Sequence, residues 1–152
     1  MDCLVKLYNL PDMDYGNGDI VYRRVMAYEK TQLLSWVKSR FSANWADECS
    51  SAFSHQPISC FVAVYNGNIV GFACYDCTQK NFFGPMGVEV NARKRGIGRI
   101  LLTVCLQAMK INGYAYAIIG GCDDQQNYYV KTVGAIPIEG STPGIYSNRI
   151  KS

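Results

Sequence analysis

Two runs rich in β-branched and aromatic residues, Ser59–Tyr65 and Asn68–Tyr75, are separated by only two residues, Asn66-Gly67. Asn and Gly both tolerate the positive φ that a two-residue type I′ turn demands, so this spacing predicts an antiparallel hairpin. A lone hairpin is at best marginally stable in water. The chain must therefore add strands or helices to it, and the remaining sequence has to be read as supplying them.

Before the hairpin, Leu4–Leu10 alternates loosely and ends at Pro11, as a first strand would, and 12–19 is crowded with turn formers. Leu33, Leu34, Val37 and Phe41 then recur at helical spacing. A second short helix is expected from Trp45, Cys49, Ala52 and Phe53, with Asn44 as its N-cap. After the hairpin, Phe82–Val90 reads as a strand in which Gly84, Pro85 and Gly87 signal an irregular ladder or bulge. Ile97, Leu101, Cys105 and Ala108 mark a helix stopped at Asn112-Gly113. Tyr114–Ile119 is the next strand and Asn127–Val133 a short helix ended by Gly134. Ala135–Ile138 and Gly144–Ile150 are read as two closing strands. This order predicts an α/β chain with one mixed central sheet flanked by helices, and 152 residues suit one domain over 1–152.

Composition narrows the function classes. With 49% hydrophobic and 18% charged residues the chain has an ordinary globular balance, so a disordered or fibrous chain is excluded. No apolar run is long enough for a membrane span, and Met1-Asp2-Cys3 lacks the layout of a secretory leader, so a soluble cytoplasmic protein with no membrane association is expected. A net charge of +3 is small for a nucleic-acid binder, and the one dense basic run, Arg93-Lys94-Arg95 with Arg99, is confined to a turn. Nucleic acid is accordingly not expected as a partner. The seven cysteines are an odd, scattered set among apolar neighbours, which reads as reduced thiols in a reducing compartment. Cys74 and Cys77, three apart in an apparent strand, should point to opposite faces, which argues against redox pairing, and without a second cysteine pair no metal site is expected.

The chemistry is concentrated in Arg93-Lys94-Arg95-Gly96-Ile97-Gly98, at the junction of a strand and a helix. Unpaired amides and the positive end of the helix dipole gather there, and glycines let a phosphate approach the backbone. A P-loop would place Lys-Ser/Thr after the last glycine, but Arg99-Ile100 follows Gly98. A dinucleotide fingerprint needs a third glycine where Leu101 stands. Neither motif is present.

The same six residues resemble the signature of the GNAT superfamily of acetyltransferases, in which Arg or Gln precedes Gly-x-Gly or Gly-x-Ala between a strand and a helix. Gly87-Val88-Glu89-Val90 is similar to the family's splayed fourth strand, and the segment from Gln126 to Ala135 to its later Asn…Tyr-x-Lys…Gly region. The chain departs from the pattern at Lys94, where a Gly is common, at Asn91-Ala92 and at Ala135.

The resemblance implies the GNAT acyl-CoA N-acyltransferase fold with a largely antiparallel sheet, and acetyl-CoA as cosubstrate in a cleft between the fourth and fifth strands. By the same resemblance the cosubstrate would be held by Val88, Val90, Arg93, Lys94, Arg95, Gly96, Ile97, Gly98, Arg99 and Asn127, with the Val88 amide polarising the thioester carbonyl. Tyr129 would be the general acid, with Tyr128 its rival. Glu89 is the first candidate for the general base, and Asp123 and Asp124 are alternatives. His55 reads as a surface residue, Trp45 as a packed one, and Trp36 as undecided. The implied activity is acetyl transfer to a primary amine of a small molecule or peptide, the alternative being an acyl-CoA-binding module without turnover. A homodimer paired through the final strand is a further possibility that the resemblance raises.

Overall fold

The computed structural model describes residues 1–12, 15 and 18–151. Seven strands form one sheet in the order β2-β3-β4-β5-β6-β1-β7. They are β1 (Asp2–Lys6), β2 (Val21–Arg24), β3 (Cys60–Tyr65), β4 (Asn68–Tyr75), β5 (Phe82–Val88), β6 (Tyr116–Ile119) and β7 (Ile136–Ile138). Every neighbouring pair is antiparallel except β5 with β6. Four α-helices accompany them: α1 (Lys30–Arg40), α2 (Ala43–Ser51), α3 (Ile97–Ile111) and α4 (Gln126–Val133). The mixed, largely antiparallel sheet with flanking helices is the architecture the element order implied.

The hairpin forms as its turn requires, with Asn66 and Gly67 at φ of 49° and 76°. Along β3 and β4 the side-chain period of two sorts residues onto two separate cores. Cys60, Val62, Phe72 and Cys74 join α1 and α2 through Leu33, Val37 and Cys49. Ala63, Ala73 and Tyr75 join α3 through Leu101, Cys105 and Leu106 on the other side. With both faces covered, these strands carry few polar residues, which is why they read as near-continuous apolar runs.

Several boundaries differ from the sequence reading. The first strand stops at Lys6 and continues as a 3-10 turn over Leu7–Asn9. Ser42, not Asn44, caps α2, accepting the Trp45 amide at 3.1 Å; Asn44 already lies in the first helical turn. Strand β2 has no sequence counterpart, because Val-Tyr-Arg-Arg is short and ends in charge. Its cations are held instead by Glu29, which takes Arg23 at 2.7 and 2.8 Å, and by the Tyr75 hydroxyl, 2.8 Å from Arg24. The strand expected over Gly144–Ile150 is absent. Gly144–Tyr146 is a 3-10 turn, with Gly144 at φ 60°, and residues 147–151 are exposed. Among the described residues the last strand is instead β7, at the edge of the sheet. The turn-rich stretch read over 12–19 falls partly outside the described residues.

Cysteine usage also departs from the expectation of seven free thiols. Cys3 on β1 and Cys122 just after β6 form a disulfide across 119 residues of sequence, with Cα atoms 6.5 Å apart. The antiparallel register places Cys3 opposite Ile119, and the Cys122 amide bonds the Met1 carbonyl at 2.9 Å, which brings the two thiols together. The remaining five are free thiols, so cysteine usage no longer argues for a reducing compartment. Among the described residues no helix is long and apolar enough to cross a membrane.

Helix α3 starts from a left-handed turn. Gly96 is its N-cap at φ 77°, and Lys94 two residues earlier sits at φ 71°. The family-like pattern has a Gly at the Lys94 position, and this backbone conformation supplies the reason: only a residue without Cβ adopts it freely. Gly87 on β5 answers a different constraint, because a Cβ there would lie against the Phe41 ring, with Cε1 and Cε2 at 2.7 Å.

Two outcomes are expected in urea denaturation. Gly87→Ala lowers stability by about 1–3 kcal/mol, since the Phe41 ring has to move out of a packed aromatic group. Lys94→Gly raises it by about 1 kcal/mol by removing a left-handed non-glycine residue.

Candidate active site

Strands β5 and β6 pair for two residues only, Phe82 with Ile118 and Phe83 with Ile119. Beyond Phe83, β5 stays with β4 while β6 ends at Gly120-Gly121. The register of β4 with β5 slips by one residue between Ala73/Met86 and Tyr75/Phe83, a bulge at the predicted Gly84-Pro85. The two strands consequently part, and a cleft of about 1070 Å³ opens between them. The Glu89 amide bonds Val70 of β4 at 2.8 Å. Because backbone groups alternate in direction along a strand, the amides of Met86 and Val88 face the other way, into the cleft.

One end of the cleft is cationic. Arg93, Lys94 and Arg99 line it together with Gly96, Ile97 and Gly98 at the start of α3. The first helical bond is from Ile100 to the Gly96 carbonyl at 3.1 Å, which leaves the amides of Ile97, Gly98 and Arg99 without helical partners. Arg93 is oriented by its Nε, which donates to the Val88 carbonyl at 3.2 Å. A Cβ on Gly98 would reach the Val88 side chain at 3.6 Å, so the glycine keeps this wall open beside the amides. Fixed N–H groups, a helix dipole and three cations make a site for a phosphorylated ligand, and the donor set fits the diphosphate of coenzyme A.

The cleft is also lined by Val88 on β5 and by Tyr128 and Tyr129 on α4. Their rings meet edge to face at 5.2 Å. Tyr129 is 9% exposed, and burial pushes its phenol up to about 12. Burial also raises Tyr128, against the opposing effects of a hydrogen bond with Thr132 and the charge of Arg99. Tyr128 is thus tied toward the cationic end, whereas the influences on Tyr129 are burial and its neighbouring tyrosine.

Phe41, which lies against Gly87, and Trp45, Glu48, Thr78 and Tyr146 complete the lining. Phe41 and Trp45 stack with centroids 5.3 Å apart, and both rest on Phe72. Glu48 is the one carboxylate on the cleft wall among the described residues, and it accepts a hydrogen bond from the Thr78 hydroxyl. The Tyr146 phenol is raised by burial and then by the nearby Glu48 charge, so the two face the same space. Sequence reasoning passed over Glu48, because a Glu inside Asp47-Glu48-Cys49 on an amphipathic helix looks like any solvated residue.

Not every expected residue lines the cleft. Glu89 pairs with Arg40 through the guanidinium Nε and is not on the wall. Strand β5 ends at Val88, so Val90 lies in a 3-10 turn, 67% exposed, with its carbonyl bonded by the Arg93 amide; it has no strand edge to offer. Arg95 is drawn to the Tyr65 ring, 5.7 Å away, and Asn127 is exposed on α4; neither lines the cleft. Asp123 pairs with the Met1 ammonium at 2.8 Å, which holds its carboxyl below the usual range, and Asp124 is exposed. His55 is on the surface, bonded to the Asp76 carbonyl at 3.0 Å. Trp36 is buried in the α1 core with its indole N–H unpaired, while Trp45, read as packing alone, also forms cleft wall.

Comparison with known proteins agrees with this geometry. The GCN5-related N-acetyltransferase from Kribbella flavida superposes with a TM-score of 0.65 at 15% identity, covering 90% of this chain and 53% of that one. The N-acetyltransferase YhbS from Escherichia coli, solved in complex with CoA, gives 0.60 at 15% identity over 78% and 71% of the two chains. A GCN5-related glucosamine N-acetyltransferase region of a fungal multi-domain β-N-acetylglucosaminidase gives 0.64 at 14% identity, covering 87% of this chain and 19% of that one. The chain thus spans about half or less of the length of two of these structures. No curated protein matches it in sequence. The model of the acetyltransferase (GNAT) family matches residues 30–134, more than half of the chain and all of the cleft's central elements, and the protein belongs to that family.

Proposed function

We propose that the protein transfers an acetyl group from acetyl-CoA to a primary amine by direct attack, with both substrates in the cleft at once. The observation that carries this reading is the lining of the cleft, which brings together three cations beside free helix amides, a single carboxylate with aromatic rings, and a buried phenol. Two of the similar structures point the same way, one solved with CoA and the other described as a glucosamine N-acetyltransferase.

Acetyl-CoA, when bound, supplies an acetyl group activated as a thioester. Arg93, Lys94, Arg99 and the α3 amides hold its phosphates, which directs the remainder of the molecule along the open edge of β5. There the Val88 amide donates to the acetyl oxygen as negative charge gathers on it. Tyr129 donates its phenolic hydrogen toward the departing sulfur. With the phenol raised to about 12 in the folded state, above the usual 10 or so, Tyr129 remains protonated throughout the neutral and mildly alkaline range. The same shift means that folding stability falls as pH rises from about 10 toward 12, where the unfolded chain releases this proton and the folded one retains it.

Glu48, oriented by Thr78, takes the base's role in this reading. It holds the incoming ammonium and accepts its proton, and Phe41 and Trp45 cover the carbon skeleton beside it. Glu89, paired to Arg40, is the weaker candidate, and the two carboxylates are separable by mutation.

In thiol-release assays across a panel of amines, Tyr129→Phe is expected to lower kcat about 10²-fold with little change in acetyl-CoA affinity by calorimetry. Glu48→Gln is expected to lower kcat/KM for the amine by about 10- to 10²-fold near neutral pH. The deficit shrinks as pH approaches the amine's own pKa, because the substrate then arrives deprotonated; Glu89→Gln leaves that pH profile unchanged. Acetyl-CoA binding without turnover on any amine would favour the binding-module alternative, and absence of binding would overturn the proposal.

A further inference from the structure

The wall that carries Glu48 is backed by sulfur. Cys49 on α2, Cys60 on β3 and Cys74 on β4 are each fully buried, and their three Sγ atoms all lie within 4.8 Å of one another. Cys49 and Cys60 are 4.0 Å apart. The fourth thiol is Cys77, which the strand rule would send to the opposite face from Cys74. Strand β4 ends at Tyr75, however, and Asp76 turns back at φ 56°, so that Cys77 packs on the same core as Cys74, its thiol outside the group of three and donating to the Tyr75 carbonyl at 3.4 Å. Cys77 packs against the same core and is only partly buried, which leaves one edge of the group open. The Ser59 hydroxyl stands 3.7 Å from its sulfur.

We propose that Cys49, Cys60 and Cys74, joined by Cys77 on rotation of its side chain away from the Tyr75 carbonyl, form a tetrathiolate site for a thiophilic divalent cation, Zn²⁺. A tetrahedral zinc with Zn–S bonds of about 2.3 Å has sulfur-to-sulfur edges of about 3.8 Å. The Cys49–Cys60 separation of 4.0 Å is therefore within a few tenths of an ångström of the bound geometry. Cys74-x-x-Cys77 is an ordinary zinc ligand pair in spacing. The other two ligands arrive from a helix and a neighbouring strand, Cys60 standing opposite Cys74 in the β3–β4 register. Soft sulfur donors in tetrahedral array favour zinc over hard cations such as Mg²⁺ or Ca²⁺. On binding, the four thiols release up to four protons as four metal–sulfur bonds form, and Ser59 donates a hydrogen bond to the charge on Cys77.

The ion would pin α2 to the sheet. Cys49 follows Glu48, and Cys77 precedes Thr78, the two residues that hydrogen-bond on the cleft wall. Zinc would thereby fix this part of the cleft wall from behind. The site's existence stands apart from the acetyl-transfer reading, since its residues and its test do not involve the cleft.

The test is titration of tag-free, reduced protein with Co²⁺, followed by displacement with Zn²⁺. The expected result is one equivalent of Co²⁺ bound, with the intense visible bands of tetrahedral cobalt and a near-ultraviolet sulfur-to-metal charge-transfer band, both lost on adding one equivalent of Zn²⁺. Proton release in weak buffer should accompany Zn²⁺ uptake. Cys77→Ser, at the accessible edge where folding is least at risk, weakens Zn²⁺ binding at least about ten-fold and alters the charge-transfer band. Absence of the band in folded wild-type protein, as checked by circular dichroism, overturns the proposal. So does a band that is unchanged in both Cys77→Ser and Cys60→Ser, which would locate the metal elsewhere.

Discussion

The separation of β5 from β6 after two paired residues is the constraint on which the rest of the cleft depends. In a continuous sheet the amides of Met86 and Val88 would be consumed by ladder bonds, and no ligand could reach them. The bulge at Gly84-Pro85 redirects β5 toward β4, and Pro85 has no N–H with which to resume pairing. Unpaired strand edges elsewhere in proteins invite unwanted association, yet here the open edge is recessed between α3, α4 and the aromatic group around Phe41.

Two packing devices hold that opening in place. On one face Gly87 lets Phe41 lie directly against β5, tying the end of α1 and, through Trp45 and Phe72, the start of α2 to the strand. On the other, Gly71 of β4 admits Leu101 and Ile97 of α3, whose side chains would lie at 2.9 and 3.1 Å from a Cβ at that position. Both glycines act through close approach, whereas Gly96 acts through its positive φ. Together they set α3 so that its first amides, Arg93 and Arg99 face the same space as Tyr129. The left-handed Lys94 is a strained member of this turn, consistent with backbone strain collecting at functional sites.

Electrostatics then divides the cleft. Cations cluster where the helix dipole is positive, which is costly without an anionic ligand and favourable with one. Among the described residues Glu48 is the one carboxylate on the wall, while Glu89 is paired with Arg40, Asp123 with the Met1 ammonium, and Asp2 accepts the Gly121 amide. The sulfur group lies behind the Glu48 wall, on the α1–α2 side of the sheet, so the same helix that presents Glu48 also carries Cys49.

Much of the fold could be read from the chain itself because its signals are local. Asn66-Gly67 specifies a hairpin, Gly134 ends α4 in a left-handed turn, and the Arg93–Gly98 run places cations and glycines between a strand and a helix. Tyr129 came from the resemblance of its segment to a family pattern, while its burial and its separation from Arg99 are properties of packing. Strand β2 escaped notice because four residues ending in two arginines carry no apolar alternation, and the final strand was misread because the apolar Ile145, Tyr146 and Ile150 do not reveal that Gly144 opens a 3-10 turn. Glu48, the unavailability of Glu89, the Cys3–Cys122 bond and the convergence of Cys49, Cys60 and Cys74 depend on which residues meet across long stretches of sequence. Residue type and local spacing determined most of the strands and helices and the cationic, glycine-bearing turn before α3. Only the tertiary structure decided which carboxylate faces the cleft and which sulfurs face one another, because those are distances between elements that sequence spacing does not encode.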